Sequence, residues 1–244
     1  MFRHSGASRT YSHNLNIASL LSFVAGLVNV AGFLAVQRLT TNVTGHFAFF
    51  VDEVFKLNFR EGLHYFLFIV FFFMGSFFSN LSIELVSKIN DRHIYRFPIL
   101  VESLILLGVA VAGQQLIVHA PNAIAFALLF AMGLQNSLVT TISNSIVRTT
   151  HLTGLFTDLG IDLSQLFFYK QKRQKVKLYA SIKLRLTIIS FFFLGGIMGG
   201  VFYSAININV LLIAVILLLT GLIYDDIKLK ISARINNFRN NEPD

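Results

Sequence analysis

The chain has 244 residues, of which 55% are hydrophobic and only 13% are charged, and its mean hydropathy is +0.67. A soluble domain of this composition would aggregate, so the composition predicts a protein that lies in a lipid bilayer. The net charge is +8, but no nucleic-acid-binding motif accompanies it, which excludes nucleic acid as a partner. The lack of cysteine excludes disulfides and thiolate chemistry.

The uncharged segments predict six membrane-spanning helices, because a helix needs about 20 mostly apolar residues to cross the hydrocarbon core. In chain order we expect one span in 17–37, one in 62–83, two in 103–147 with a break near 114–122, and two in 186–224 with a break at Asn207 and Asn209. The predicted fold is therefore an all-α polytopic membrane protein.

The two halves of the chain repeat the same motifs in the same order. A Phe-x-x-Gly-x-x-Asn motif ends at Asn29 and again at Asn136, and a Thr-x-x-Thr-Gly motif ends at Gly45 and again at Gly154. Three spans per copy would place the second copy upside down, which is typical of transporters and resembles one half of a major-facilitator transporter. We expect an N-terminal tail (1–16), a first repeat (17–117), a second repeat (122–225) and a C-terminal tail (226–244). A basic cytoplasmic loop (169–185) is expected to lie within the second repeat.

The basic residues predict the orientation in the membrane. Of the 20 lysines and arginines, all but Arg38, Lys56 and Arg60 fall on one predicted side. The positive-inside rule therefore predicts that both termini are cytoplasmic, and the basic loop is expected to lie along anionic lipid headgroups.

Both motif sets resemble the YoaK family, also catalogued as domain of unknown function 1275, over roughly residues 17–225. The resemblance is carried by Gly26, Asn29, Thr44 and Gly45 in the first half and by Gly133, Gln135, Asn136, Thr150, Thr153 and Gly154 in the second. It implies a bacterial inner-membrane protein and brings no established activity, substrate, cofactor or catalytic residue.

Three amides of the repeated motifs lie within predicted spans. Asn29 and Asn136 occupy matching places, and Gln135 precedes the second of them. Buried amides need hydrogen-bond partners, so they are expected to face the interior of the helix bundle. They either tie neighbouring helices together or line a solute path.

The Thr-x-x-Thr-Gly blocks precede new helices. Thr44 with Gly45, and Thr153 with Gly154, suit a helix N-terminus whose free N–H groups could receive an anion. Each block is either a structural cap or a gate or ligand site. The first is expected near the outer face and the second near the inner face.

A glycine strip and three acidic residues leave further alternatives open. Gly195, Gly196, Gly199 and Gly200 predict close helix packing, either within the chain or as a homodimer seam. Glu102 either sits harmlessly near a helix N-terminus or couples transport to an ion. Asp158 and Asp162 share one helix face and either pair with the basic cluster or bind a cation.

No hydrolase, zinc or nucleotide-binding motif occurs in the sequence. We therefore expect neither an enzyme nor an ATP-driven pump, and no cofactor or metal. The repeat favours a secondary transporter for a small solute with its site between the two copies. The alternative is a non-catalytic membrane scaffold or regulatory partner.

Overall fold

The computed structural model describes residues 9–88 and 94–224, and these ranges are helical with no strand. The elements in chain order are α1 (Tyr11–Val36), α2 (Val43–Phe55), α3 (Phe59–Ser87), α4 (Arg96–His119), α5 (Pro121–Ile142), α6 (Leu152–Phe168), α7 (Lys172–Ile206), a 3-10 turn (Asn207–Val210) and α8 (211–224). The predicted tail 226–244 and residues 1–8 of the predicted tail 1–16 lie outside the described residues.

Five helical segments are long and apolar enough to cross a membrane: Tyr11–Val36, Phe59–Ser87, Arg96–His119, Pro121–Ile142 and Lys172–Tyr224. The prediction of an all-helical, multi-pass membrane protein is confirmed at this level. Of the remaining helices, α2 has 13 residues, fewer than a membrane crossing needs. Helix α6 has 17, at the lower limit, and carries Asp158 and Asp162 within its length.

The breaks in the long apolar segments fall where the sequence predicts them. Pro121 begins α5 directly after the end of α4, because proline lacks the N–H that would continue the helix. Asn207, at a left-handed φ of 52°, interrupts the 53-residue segment 172–224 and starts the 3-10 turn. The sequence predicts two spans in 186–224. By length and composition, the helical segment 172–224 is one candidate for a membrane crossing, interrupted at Asn207.

The basic segment 169–185 is helical over most of its length, in contrast to the predicted loop. Only 169–171 connect α6 to α7, and α7 begins at Lys172. Lysine, arginine, glutamine and leucine are good helix formers, and no proline or glycine interrupts them here. Lys172, Arg173 and Lys177 are exposed on this first part of α7.

Helix α1 packs most extensively against α7, and the two run parallel. The Tyr11 hydroxyl donates to the Ala180 carbonyl at 2.9 Å near the start of α1. Further along both helices, the backbone of Leu27 closely approaches Gly199. The first helix of the chain is thus paired with a helix of the other half.

Helix α3 packs against α5 in the same way, and these two also run parallel. The rings of Phe68 and Phe126 lie 4.9 Å apart, and further along the pair the Thr141 hydroxyl donates to the Asn80 side chain at 3.4 Å. In the motif register α3 corresponds to α7 and α5 to α1, so the two helix pairs are equivalent.

Four glycines make these two crossings possible. A Cβ added to any of them would overlap a backbone carbonyl of the partner helix: Gly26 on Phe192, Gly195 on Phe23, Gly133 on Phe72 and Gly75 on Phe130. The contacts are reciprocal and occupy matching positions of the repeated motifs. Small residues allow such close backbone approach, so the glycine strip is used for packing within the chain.

The two central helices, α1 and α5, run antiparallel. The Gln135 amide donates to the Leu21 carbonyl at 3.0 Å, and a Cβ on Gly32 would meet the Leu128 side chain at 2.9 Å. Both helices are largely buried, whereas α3 and α7 expose many large apolar side chains.

The short helix α2 lies against α3 in the opposite direction. The rings of Phe50 and Phe66 are 5.7 Å apart, and those of His46 and Phe68 are 4.9 Å apart. Helix α6 packs against α7 in the corresponding position of the second half. Each short helix therefore starts alongside the interior of a long helix.

Candidate functional site

A cavity of about 910 Å³ lies where α2 and α6 begin. Its walls come from both halves of the chain and include matched residues of the repeated motifs. The matched pairs are Asn29 with Asn136, Thr41 with Thr150, Asn42 with His151, Val43 with Leu152, Thr44 with Thr153, and Phe72 with Phe192.

The two asparagines make the same hydrogen bond in each half. The Thr41 hydroxyl donates to the Asn29 side-chain oxygen at 2.7 Å, and the Thr150 hydroxyl donates to that of Asn136 at 2.8 Å. Asn29 lies seven residues before the end of α1, so the bond brings the following loop back by about 10 Å along that helix. The asparagines are half-buried, and each side-chain amide lines the cavity while it accepts the hydrogen bond from threonine.

The preceding threonines anchor the same two loops. Thr40 and Thr149 are fully buried. The Thr40 hydroxyl donates to the Val28 carbonyl at 3.3 Å, and Thr149 accepts from the Gln135 amide at 3.4 Å. These two residues are not among the predicted site residues, although the Thr-Thr pair that occurs in both motifs is a visible signal for them.

Of the seven residues that the sequence assigns to binding, five line the cavity: Asn29, Asn136, Thr44, Gly45 and Thr153. The other two support it. Gln135 is fully buried and ties α5 to the α1 backbone, and Gly154 makes room for the His151 ring.

The positions of the two Thr-x-x-Thr-Gly blocks differ from the expectation. We expected them near opposite faces, but Thr44 and Thr153 line the same cavity. The reason is that the loops after α1 and α5 fold back along those helices, so both short helices begin in the interior. Hydropathy predicts where the chain crosses the membrane but does not predict a loop that folds back along a helix.

The starts of the two short helices are capped differently. Asn42 caps α2 by accepting from the Gly45 N–H at 3.0 Å. His151 holds the matching place before α6, and its side chain makes no capping hydrogen bond. The backbone N–H groups in the first turn of α6 therefore have no side-chain cap, whereas in α2 one such group is bonded to Asn42.

The charges around the cavity are also unequal. Arg148 lines it, and no aspartate or glutamate in 9–88 or 94–224 does. Leu39 occupies the place in the first half that Arg148 occupies in the second. In the sequence Arg148 is recognisable only as one of the basic residues that indicate topology, and no motif marks its place on the cavity wall.

The three acidic residues named for coupling lie away from this cavity. Asp162 contacts Arg185 directly, and the Asp158 carboxylate lies 3.4 Å from the same guanidinium, so both aspartates face the basic cluster, the first of the two alternatives. Glu102 is fully buried in α4, and among the described residues its carboxylate has no hydrogen-bond partner.

No group of three or more histidine, aspartate or glutamate side chains in 9–88 and 94–224 could hold a metal ion. The cavity is lined by hydroxyls, amides, one guanidinium, one imidazole and apolar side chains. Such a surface binds a solute by hydrogen bonds and charge.

Comparison with curated proteins and with solved structures found no match. A family described as "Protein of unknown function (DUF1275)" matches residues 17–224, which is most of the chain and contains the whole cavity. The resemblance inferred from the two motif sets is therefore confirmed, and the chain belongs to this family of unknown function.

Proposed function

We propose that the protein is a secondary transporter that carries a small solute through the cavity between its two halves. The observation that carries this proposal is the set of matched residues from both halves around one cavity, at the starts of two short helices. Transporters commonly bind their substrates at the interface of two repeats, next to the N-termini of such discontinuous helices.

The directions of the helices support an inverted repeat. Helices α1 and α5, which carry the same motif, run antiparallel. An axis along the membrane normal would leave them parallel, whereas an axis in the membrane plane reverses one of them. In the proposed topology α1, α3 and α4 cross in the first repeat, 17–117. In the second repeat, 122–225, the crossings are α5, α7 and the segment 207–224, which combines the 3-10 turn with α8.

The proposed orientation places both termini and the basic start of α7 at the cytoplasmic side of a bacterial inner membrane. It rests on the distribution of lysine and arginine along the chain. Lys172, Arg173 and Lys177 are exposed and would lie near anionic headgroups.

The packing supports a rocking movement between two rigid units. Helices α1 and α7 form one unit and α3 and α5 the other, because each pair is joined by backbone contacts at its glycines. The cavity contains Phe72 from one unit and Phe192 from the other. A change in the angle between the units would open the cavity to one side and close it to the other.

Uptake by proteoliposomes tests the proposal. A mixed panel of isotope-labelled sugars, polyols, amines, amino acids and carboxylates would be applied, and the vesicle contents measured by mass spectrometry. We expect accumulation of at least one solute by the wild type and its loss in Asn29→Leu and Asn136→Leu. Asn80→Leu, which removes an exposed amide of α3 outside the cavity, should transport normally.

Two results would contradict transport. One is that no solute enters vesicles containing folded protein, which would favour a membrane scaffold. The other is full uptake by both cavity variants. Thermal unfolding of each purified variant separates a loss of transport from a loss of folding.

A further inference from the structure

We propose that the cavity binds a small organic anion, with the carboxylate of the anion held by Arg148 on the α6 side. This inference rests on the proposed function, because it names the class of solute for the same cavity. In this proposal the second half of the chain supplies the positive charge of the site, although most of the wall residues are matched between the two halves.

The charge of the cavity wall carries the argument. Within the described part of the chain, Arg148 is the one lysine or arginine on this wall, and no acidic side chain balances it there. Among the residues that the structure describes, no carboxylate forms an ion pair with Arg148. Arg148 is exposed on the cavity wall. A guanidinium without an acidic partner there favours an anionic ligand, which supplies the missing charge.

The two sides of the cavity differ at the same place in the motif. On the α2 side Leu39 replaces the arginine, and Asn42 already accepts from the Gly45 N–H. On the α6 side His151 leaves the first turn of the helix uncapped. The helix dipole and these donors add to the positive potential that Arg148 creates.

The size and the remaining walls favour an organic anion over an inorganic ion. The volume of about 910 Å³ lies within the range of about 300–1,000 Å³ that is usual for organic ligands. Phe72, Phe192 and Leu152 offer apolar contacts, while the Asn29 and Asn136 amides can bind polar groups of the solute.

The potential in the cavity can be measured without knowing the solute, because the chain contains no cysteine. Ala48→Cys places a thiol on the cavity wall. Its rates of modification would be compared for two thiosulfonate reagents, one carrying a sulfonate and the other a trimethylammonium group. We expect the anionic reagent to be favoured relative to the exposed reference variant Asn58→Cys.

Added to Ala48→Cys, Arg148→Leu should lower the ratio of the anionic to the cationic rate at least about fivefold, because one nearby charge acts oppositely on the two reagents. Arg148→Lys should keep most of the ratio. Arg173→Leu, the control, removes an exposed charge that does not line the cavity. A ratio that does not respond to Arg148→Leu would overturn the inference.

Ligand binding provides the second readout. Benzoate, lactate and succinate would each be compared with the corresponding amide for stabilisation of the purified protein against heat. We expect at least one carboxylate to stabilise the wild type and Arg148→Lys, its amide to have no effect, and Arg148→Leu to bind at least about tenfold more weakly. Equal binding of the amide, unchanged binding by Arg148→Leu, or no stabilisation by any carboxylate would each overturn the inference.

The two proposals fail in distinguishable ways. Uptake of a neutral solute that continues in Arg148→Leu would overturn the anion inference and leave the transport proposal intact. Binding of a carboxylate that depends on Arg148, without uptake of any solute, would overturn transport and support the anion site.

Discussion

At the scale of single residues, the site depends on two matched hydrogen bonds. Thr41 to Asn29 and Thr150 to Asn136 hold the loops that deliver α2 and α6 to the cavity. The same asparagines line the cavity. The sequence left two alternatives open for these asparagines, a structural hydrogen bond or a place on the solute path. One asparagine side chain can serve both roles.

Thr150→Val tests the structural part of this bond. Valine keeps the shape of threonine but cannot donate to Asn136, so we expect a loss of about 1 kcal/mol in the free energy of unfolding. Thr44→Val is the comparison, because Thr44 is exposed to the cavity and should change stability little while reducing solute binding. Unfolding of the purified variants in mild detergent measures both effects. An equal loss of stability in the two variants would contradict the distinction.

At the scale of the helices, the close glycine crossings determine which elements move together. Each crossing brings two backbones into contact, and backbone atoms cannot rotate away as a side chain can. The pairs α1 with α7 and α3 with α5 should therefore behave as rigid units.

Gly26→Ala tests this packing. The new methyl group would overlap the Phe192 carbonyl, so the helices must separate, and we expect a loss of about 2–3 kcal/mol in stability. Gly108→Ala is the matched control, because nothing lies within 4 Å of a Cβ at that position in another membrane-length helix. Thermal unfolding should show a clear decrease for the first variant and none for the second. Similar stability of both would show that α1 and α7 are not locked together.

The elements were predictable from the sequence to different degrees. The long helices follow from hydropathy, and the break before Pro121 follows from the chemistry of proline. The reversal of the chain before α2 was not predictable in this way, because it depends on the contact of Thr41 with Asn29, twelve residues away. Likewise, the spacing of Gly26 indicates close packing but does not identify α7 as the partner.

The candidate site was predictable only in part. Repetition at matching positions indicated Asn29, Asn136, Thr44 and Thr153, which line one cavity. Repetition could not indicate Arg148, because its counterpart is Leu39 and the difference between the halves is what gives the cavity its charge. Gln135 was expected on the solute path and instead bonds to the α1 backbone, a contact that a local motif does not contain.

At the scale of the whole molecule, the topology can be tested independently of transport. Single cysteines in place of Asn58 and Gln174 lie in exposed positions at the start of α3 and at the start of α7. We expect an impermeant thiol reagent applied to intact cells to label Asn58→Cys and to leave Gln174→Cys unlabelled until the membrane is opened. Equal labelling of both variants would contradict the six-span, inverted arrangement.

The central claim is that one cavity, shared by the two halves, opens alternately to each side of the membrane. The most direct measurement is the labelling of Thr44→Cys and Thr153→Cys, each as the single cysteine of the chain, by an impermeant reagent in intact cells and in inside-out vesicles. Because both residues line the same cavity, the account predicts that each variant is labelled from both sides. Labelling from one side only, or from neither, would contradict it.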